Sequence, residues 1–222
     1  MKPGYTKRKF YGKWLYKVTF LVPGVSVFRS RSASEVINIC NETYDPYIQP
    51  RSLRGKVYQE KDRIIKIAQF LETLPTDTWA KRIESDILDI YTNDVELYHS
   101  TINNCGELVY RAFEPEPNSI DALEQPYNIA VKKYPHNKYH HKVYLLPHKM
   151  IHDEQVRRKY LEWVESQPNI LISNAVKDWF IKTIWNWDRR YVLVEDSQTL
   201  LMLKLRNPDV IGRVYDYVLT DK

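Results

Sequence analysis

Residues 13–21 read KWLYKVTFL, and residues 139–146 read YHHKVYLL. Both segments are rich in β-branched and aromatic residues, which is typical of β-strands. They also align: KWxYKV at residues 13–18 matches KYxHKV at residues 138–143, and each is followed by an apolar pair and a proline, with one residue of slip. The match is short. It is consistent with an internal duplication of an α+β unit, and it is also consistent with chance.

Outward from these two strands, the spacing of apolar residues predicts helices and further short strands. In the first half we predict a hairpin of 13–21 with 25–28, helices at 32–42, 64–71 and 78–91, a loop at 44–53, a strand at 94–98 and a short helix at 107–113. In the second half we predict strands at 139–146, 170–172 and 190–194, and helices at 153–165, 174–185, 197–206 and 209–218.

The acidic, proline-punctuated segment Glu-Pro-Glu-Pro at 114–117 is the best internal boundary. It divides the chain into an α+β half at 1–116, which carries a basic aromatic arm, and an α+β half at 117–222 that we expect to share one interface with the first. The predicted fold class is α+β, with an antiparallel sheet and helices packed on one side. A duplicated ferredoxin-like unit is one arrangement that fits this pattern.

The net positive charge of the chain comes from its N-terminal region. The first 34 residues hold eight Lys or Arg side chains and no acid before Glu35, and the formal net charge of the whole chain is +5. Aromatic residues alternate with these cations, a composition that suits a phosphate backbone and unstacked bases. A second acid-free stretch, residues 125–152, holds five lysines and five of the six histidines. If both strands belong to one sheet, the two basic stretches can share a face.

These two stretches supply the candidate nucleic-acid-binding residues. The candidates are Lys7, Arg8, Lys9, Phe10, Tyr11, Lys13, Lys17, Lys132, Lys133, Lys138, Lys142, Arg189 and Arg190. Phe10 and Tyr11 are the expected stacking residues, since strand alternation directs Trp14 and Tyr16 towards the core and Lys13 and Lys17 away from it. The competing interpretation is that the lysines form an ordinary solvated face.

Two other clusters have simpler structural explanations. A chelating pair of histidines needs i, i+2 spacing on a strand or i, i+4 spacing on a helix, and no two of the histidines at 136, 140, 141, 148 and 152 meet this condition on a predicted strand or helix, so surface histidines are favoured over a metal site. The aromatic run from Trp179 to Tyr191 closes with two arginines that could clamp a nucleotide, but core packing and an Asp188–Arg pair account for it as well.

No motif in the sequence fixes a catalytic chemistry. Six glycines leave no phosphate-binding loop of the G-x-x-x-x-G-K or G-x-G-x-x-G kind, and G-x-S-x-G and H-E-x-x-H are absent. Glu195-Asp196, after a predicted strand, could hold a metal or work with a histidine, but acids are also common before a helix. An enzyme is therefore the least favoured class, and we expect no cofactor and no metal.

The sequence favours a non-enzymatic nucleic-acid-binding protein, of the kind that phages and viruses use in replication, transcription or packaging. The alternative is a viral-type structural or assembly protein whose basic aromatic arm contacts neighbouring subunits or a protein partner. Cys40 and Cys105 lack metal-ligand or redox spacing. With no apolar stretch of membrane-spanning length and no secretory signal, we expect an intracellular, cytoplasmic protein without a membrane partner.

Overall fold

The structure is a computed structural model, and it describes residues 2–42, 52–146, 153–182 and 190–220. The chain divides into two compact units, Met1–Glu116 and Pro117–Lys222. In the described part of the chain, each unit contains one five-stranded sheet and its own apolar core.

The first unit has strands β1 to β5 and helices α1 to α4. In chain order these are β1 Gly4–Thr6, β2 Tyr16–Leu21, α1 Ala33–Asn41, α2 Leu53–Gln59, α3 Lys61–Glu72, β3 Trp79–Glu84, β4 Ile87–Thr92, α4 Val95–Cys105 and β5 Val109–Pro115. The strand order across the sheet is β1-β5-β2-β4-β3, and all pairings are antiparallel except that of β1 with β5.

The second unit has strands β6 to β10 and helices α5 to α7. They are β6 Asn128–Val131, β7 His141–Leu145, α5 Glu154–Ser166, β8 Ile170–Ile172, α6 Asn174–Lys182, β9 Tyr191–Val194, α7 Ser197–Arg206 and β10 Ile211–Leu219. The order is β6-β10-β7-β9-β8, again with one parallel pairing, between β6 and β10.

The two sheets therefore have the same topology. In the first unit β2, β3, β4 and β5, with helices after β2 and after β4, form the β-α-β-β-α-β pattern of the ferredoxin-like fold, and β1 is added at one edge. The second unit repeats this pattern with α6 inserted between β8 and β9. The predicted α+β class is confirmed, and the matching strand order supports a duplicated unit.

Strand alternation sends one face of each sheet into a core that the helices cover. On β2, the side chains of Tyr16, Val18 and Phe20 join the buried cluster to which α1 to α4 contribute. On β7, Val143 and Leu145 do the same against α5, α6 and α7. Full burial of an aromatic or aliphatic side chain of this size stabilises the fold by roughly 1.5–3 kcal/mol. The opposite sheet face of each unit carries the polar and aromatic residues described below.

Several predicted elements agree with the structure. Helices α1, α3, α5 and α7 and strands β7, β8 and β9 lie where the sequence predicts them. Asp196, rather than Ser197, caps α7. The helix predicted at 174–185 is present as α6 up to Lys182, and residues 183–185 and most of the loop predicted at 44–53 lie outside the described residues.

The helix predicted at 78–91 is wrong, because this segment forms the β3–β4 hairpin. Leu88 and Ile90 are buried in the core while Asp89 and Tyr91 point to the other face, so the true period is two. Ser85 adopts a left-handed φ of 54° at the turn. Pairing of β4 with β2 outweighs the local helical pattern.

Four shorter predictions are also wrong. Residues 94–98 are not a strand but begin α4, residues 107–113 and 209–218 are not helices but contribute to β5 and β10, and residues 25–28 lie in a 3₁₀ helix, Val25–Ser30. Asp94 starts α4 because its carboxylate accepts hydrogen bonds from the N–H groups of Glu96 and Leu97. Strands β5 and β10 are fixed by long-range pairing with β2 and β7, which local propensity does not report. Gly24, with φ of 86°, turns the chain into the 3₁₀ helix.

The condition under which the two basic stretches could share a face, that their strands belong to one sheet, is not met. Strand β2 is central to the first sheet and β7 is central to the second. The two basic stretches are thus equivalent parts of two repeated sheets.

Candidate nucleic-acid interface

The segment that enters the central strand has the same turn in both units. Between β1 and β2, Lys13 N donates to Phe10 O at 3.0 Å; between β6 and β7, Lys138 N donates to Pro135 O at 3.1 Å. The two central residues of each turn have left-handed φ angles, 55° and 70° for Tyr11 and Gly12, and 52° and 56° for His136 and Asn137. We call residues 7–13 the first basic turn and residues 132–138 the second. Consecutive positive φ angles are the mark of a type I′ turn.

Cations in the two turns stand at equivalent positions. Lys7 and Arg8 at the start of the first turn correspond to Lys132 and Lys133 at the start of the second, and all four are exposed. Lys13, also exposed, places its Nζ 4.3 Å from the centroid of the Trp14 ring. No ion pair joins Lys7, Arg8, Lys13 or Lys133 to a carboxylate of the described residues. Lys9 is half-buried.

Phe10 and Tyr11, the expected stacking residues, pack on their own sheet. The Phe10 ring lies 5.7 Å from the Tyr91 ring and 6.1 Å from the Phe113 ring, centroid to centroid. The Tyr11 ring lies 5.3 Å from that of Tyr91, and its hydroxyl accepts a hydrogen bond from Arg82. The first basic turn therefore covers the sheet face with both rings, although Tyr11 remains 50% exposed.

Beneath this cover, Lys17 forms an ion pair within the sheet. Its Nζ lies 2.9 Å from Asp89 Oδ2. The Asp89 carboxylate also accepts hydrogen bonds from Thr19 Oγ1 at 2.7 Å and Tyr91 Oη at 2.9 Å. Burial, with hydrogen bonds to Tyr11 and Asp89, raises the pKa of the Tyr91 hydroxyl. Lys17 is thus paired with a carboxylate inside the sheet, unlike the exposed cations of the first basic turn.

Lys142 occupies the same position in the second sheet, with different neighbours. Its Nζ lies 3.8 Å from the Tyr191 centroid and 5.1 Å from the Tyr144 centroid, and it forms no ion pair with a described carboxylate. The Tyr144 ring is 5.7 Å from both the Tyr191 and Tyr215 rings. At the edge of this cluster, the Arg213 guanidinium lies over the Tyr127 ring at 5.4 Å.

The remaining candidates are held in other contacts or lie beyond the described residues. Lys138 Nζ lies 2.8 Å from Glu195 Oε2, and this carboxylate raises the pKa of the Lys138 ammonium. The Arg190 guanidinium stands over the Trp179 ring at 5.5 Å. Arg189 lies outside the described residues.

Glu195 and Asp196, the carboxylates considered for catalysis, have structural partners. Glu195 pairs with Lys138, and Asp196 caps α7 by accepting a hydrogen bond from Thr199 N at 2.7 Å. Hydrogen bonds from the backbone N–H groups of Thr199 and Gln198 lower the pKa of the Asp196 carboxyl. In the described residues no group of three or more His, Cys, Asp or Glu side chains could hold a metal ion; His148 and His152 lie outside them.

His141, Ser197 and Asp216 meet at one end of β7. His141 Nδ1 lies 2.6 Å from Asp216 Oδ1, and Ser197 Oγ lies 3.4 Å from His141 Nε2. A serine nucleophile needs a closer base, about 2.6–3.2 Å away, and donors for an oxyanion. Here the Asp216 side chain is 57% exposed, and Asp196 takes up the free N–H groups at the start of α7. We interpret the group as a surface cluster that orients His141.

Sequence reasoning missed the aromatic cluster around Lys142. Tyr144, Tyr191, Tyr215 and Arg213 come from three strands, and their proximity depends on the register of β7 with β9 and β10. The β-branched and aromatic content of residues 211–219 was the one local signal that could have indicated a strand carrying Arg213 and Tyr215.

Comparison with known proteins gave no match: no family model, no curated protein and no solved structure resembles this chain. Within the described residues, none of the helices has the length and apolar character needed to cross a membrane.

Proposed function

We propose that this chain binds nucleic acid without catalysing a reaction on it, and that the two basic turns contact the phosphate backbone. The observation that carries the proposal is the repetition of the turn. In each unit a pair of exposed cations, Lys7 and Arg8 or Lys132 and Lys133, comes shortly before an equivalent type I′ turn.

The charges in these turns support a phosphate ligand. Lys7, Arg8 and Lys133 have no carboxylate partner among the described residues, so their charge is available to an external anion. Cations placed on phosphates release condensed counterions, and this release provides most of the sequence-independent affinity of nucleic-acid-binding proteins.

The proposal is tested by fluorescence anisotropy with a labelled 20-nucleotide dT oligomer and with a 20-base-pair duplex. We expect Lys7→Ala/Arg8→Ala and Lys132→Ala/Lys133→Ala each to weaken binding severalfold or more at a fixed salt concentration. Lys159→Ala/Lys204→Ala, which removes two exposed lysines from α5 and α7, is the matched control. Equal losses in all three variants, or no binding by the wild-type protein, would overturn the proposal. A discrete oligomer in light scattering together with no binding would favour an assembly role.

A further inference from the structure

The two sheets carry the same lysine in opposite chemical settings. Lys17 on β2 is paired with Phe113 on β5. Lys142 on β7 is paired with Tyr215 on β10, the strand that corresponds to β5. By the same register, the residue that corresponds to Asp89 in the second unit is Tyr191. The ion pair of the first unit is therefore replaced by a cation over an aromatic ring.

The two basic turns also differ in the aromatic rings that they place on the sheet. The first turn lays Phe10 and Tyr11 over the Lys17 face, with Phe10 5.7 Å from Tyr91. The corresponding residues of the second turn are Pro135 and His136. The His136 ring contacts Tyr139, and within the described residues neither side chain supplies a ring to Tyr144 or Tyr191. The first unit thus covers its sheet cation with its own aromatic rings, whereas the rings of the second turn, Tyr134 and His136, contact His140 and Tyr139.

We propose that the Lys142 face takes the unpaired bases of a single-stranded nucleic acid, which stack on Tyr144 and Tyr191. This inference rests on the proposed function. Tyr144 and Tyr191 are partly exposed on the central strand β7 and its neighbour β9. Lys142, with no described carboxylate partner, supplies a positive charge for the adjacent phosphate, and the exposed Arg213 supplies a second. Aromatic side chains on a sheet are known platforms for splayed-out bases.

The same geometry favours single-stranded over double-stranded nucleic acid at the Lys142 face. In a duplex, each base is stacked between its neighbours and paired across the helix, so its face is not available to a protein ring. In a single strand the bases expose their π-faces, and stacking on an aromatic side chain strengthens binding whatever the base. The Lys142 face therefore distinguishes single strands from duplexes, while the basic turns bind the phosphates of both.

Three probes separate stacking from charge: a labelled dT 20-mer, a 20-mer of abasic sugar-phosphate units, and a 20-base-pair duplex. We expect the dT oligomer to bind more tightly than the abasic oligomer. Tyr144→Leu and Tyr191→Leu should each weaken binding to dT by between about fivefold and a hundredfold. Binding to the abasic oligomer should change less than twofold, because its phosphates remain.

Control variants keep the test interpretable. Tyr191→Phe preserves the ring and should bind dT within twofold of the wild-type protein. Tyr58→Leu replaces a tyrosine that is 43% exposed on α2 and should leave the affinity for the dT oligomer unchanged. Circular dichroism and the thermal midpoint show whether each variant folds.

The outcomes distinguish the inference from the proposed function. Equal affinity for dT and abasic oligomers, or leucine variants that bind dT like the wild-type protein, would overturn base stacking and leave phosphate binding by the turns intact. The absence of binding to all three probes would overturn both.

Discussion

At the scale of single residues, the lysines at one corresponding position of the two sheets have different partners. Lys17 and Lys142 occupy corresponding places in two sheets, and the identity of one neighbour, Asp89 or Tyr191, decides whether the cation is neutralised. A buried ammonium loses hydration, so it needs a carboxylate, an aromatic face or an external anion to offset that cost. The first unit has the carboxylate in addition to aromatic rings at 5.7–5.9 Å, and in the second unit Lys142 lies over aromatic rings without a carboxylate partner among the described residues.

The Lys17–Asp89 pair should therefore be important for stability. The side chains of Lys17 and Asp89 are 20% and 11% exposed. We expect Asp89→Asn to lower the free energy of unfolding by about 3 kcal/mol, because it leaves a mostly buried ammonium without its counter-charge. Urea denaturation measures this. Glu84→Gln, which breaks the exposed pair with Arg82, should cost less than about 1 kcal/mol. Similar losses of unfolding free energy in Asp89→Asn and Glu84→Gln would contradict the importance of the Lys17–Asp89 pair for stability.

Asp196 gives a prediction about acid stability. Backbone hydrogen bonds lower the pKa of its carboxyl in the folded state. A lowered folded pKa means that the stabilisation is present above the unfolded value of about 3.9 and is lost as pH falls through the folded value. We expect Asp196→Ala to cost about 0.5–2 kcal/mol at pH 7, the usual value of a helix cap. The difference between wild type and variant should shrink below about pH 4. A difference that stays constant down to pH 2 would contradict this account.

At the scale of elements, the repeated turn explains how the sequence brings cations to the entrance of each central strand. Both turns need two residues with positive φ. Glycine adopts this conformation without strain and asparagine does so more readily than most residues, so Gly12 and Asn137 suit their positions.

Substitution should lower the stability at Gly12 and leave it nearly unchanged at Asn137. At a φ of 70°, Gly12→Ala places a Cβ in the left-handed region, and we expect a loss of about 1–2 kcal/mol in stability. Asn137→Gly keeps the conformation accessible and should change stability by less than about 0.5 kcal/mol. Thermal unfolding of both variants measures this. Gly12→Ala with wild-type stability would show that the turn is not held in this conformation.

Sequence alone predicted the elements whose signals are local. Helix α1 begins at Ser32 with a capping box, and α3 has apolar residues at helical spacing. Prediction from the sequence failed for β3, β5 and β10, because each of these strands is defined by pairing with a distant strand. The two basic stretches were visible in the sequence because a run of charge needs no tertiary information, whereas the turns within them were not predicted. The Tyr144–Lys142–Tyr191 cluster was not visible, since strand register creates it.

At the scale of the whole molecule, the two units repeat one topology with divergent surfaces. Both have the same strand order with one parallel edge pairing, and both place a basic turn before the central strand. The short match between residues 13–18 and 138–143 was the trace of this repeat in the sequence. Under the proposed function, two copies of a cationic turn in one chain would give a nucleic acid two points of attachment, and linked attachment raises the overall affinity when geometry allows both.

The central claim is that the cations of both turns bind phosphates, and the salt dependence of binding tests it most directly. The measurement is the slope of log affinity against log salt concentration for a single-stranded dT 20-mer. Each phosphate contact contributes about 0.7 to this slope for single strands. We predict that the variant Lys7→Ala/Arg8→Ala/Lys132→Ala/Lys133→Ala has a slope shallower than the wild type by about 2.8, and that Lys159→Ala/Lys204→Ala keeps the wild-type slope. An unchanged slope in the four-cation variant would contradict the account.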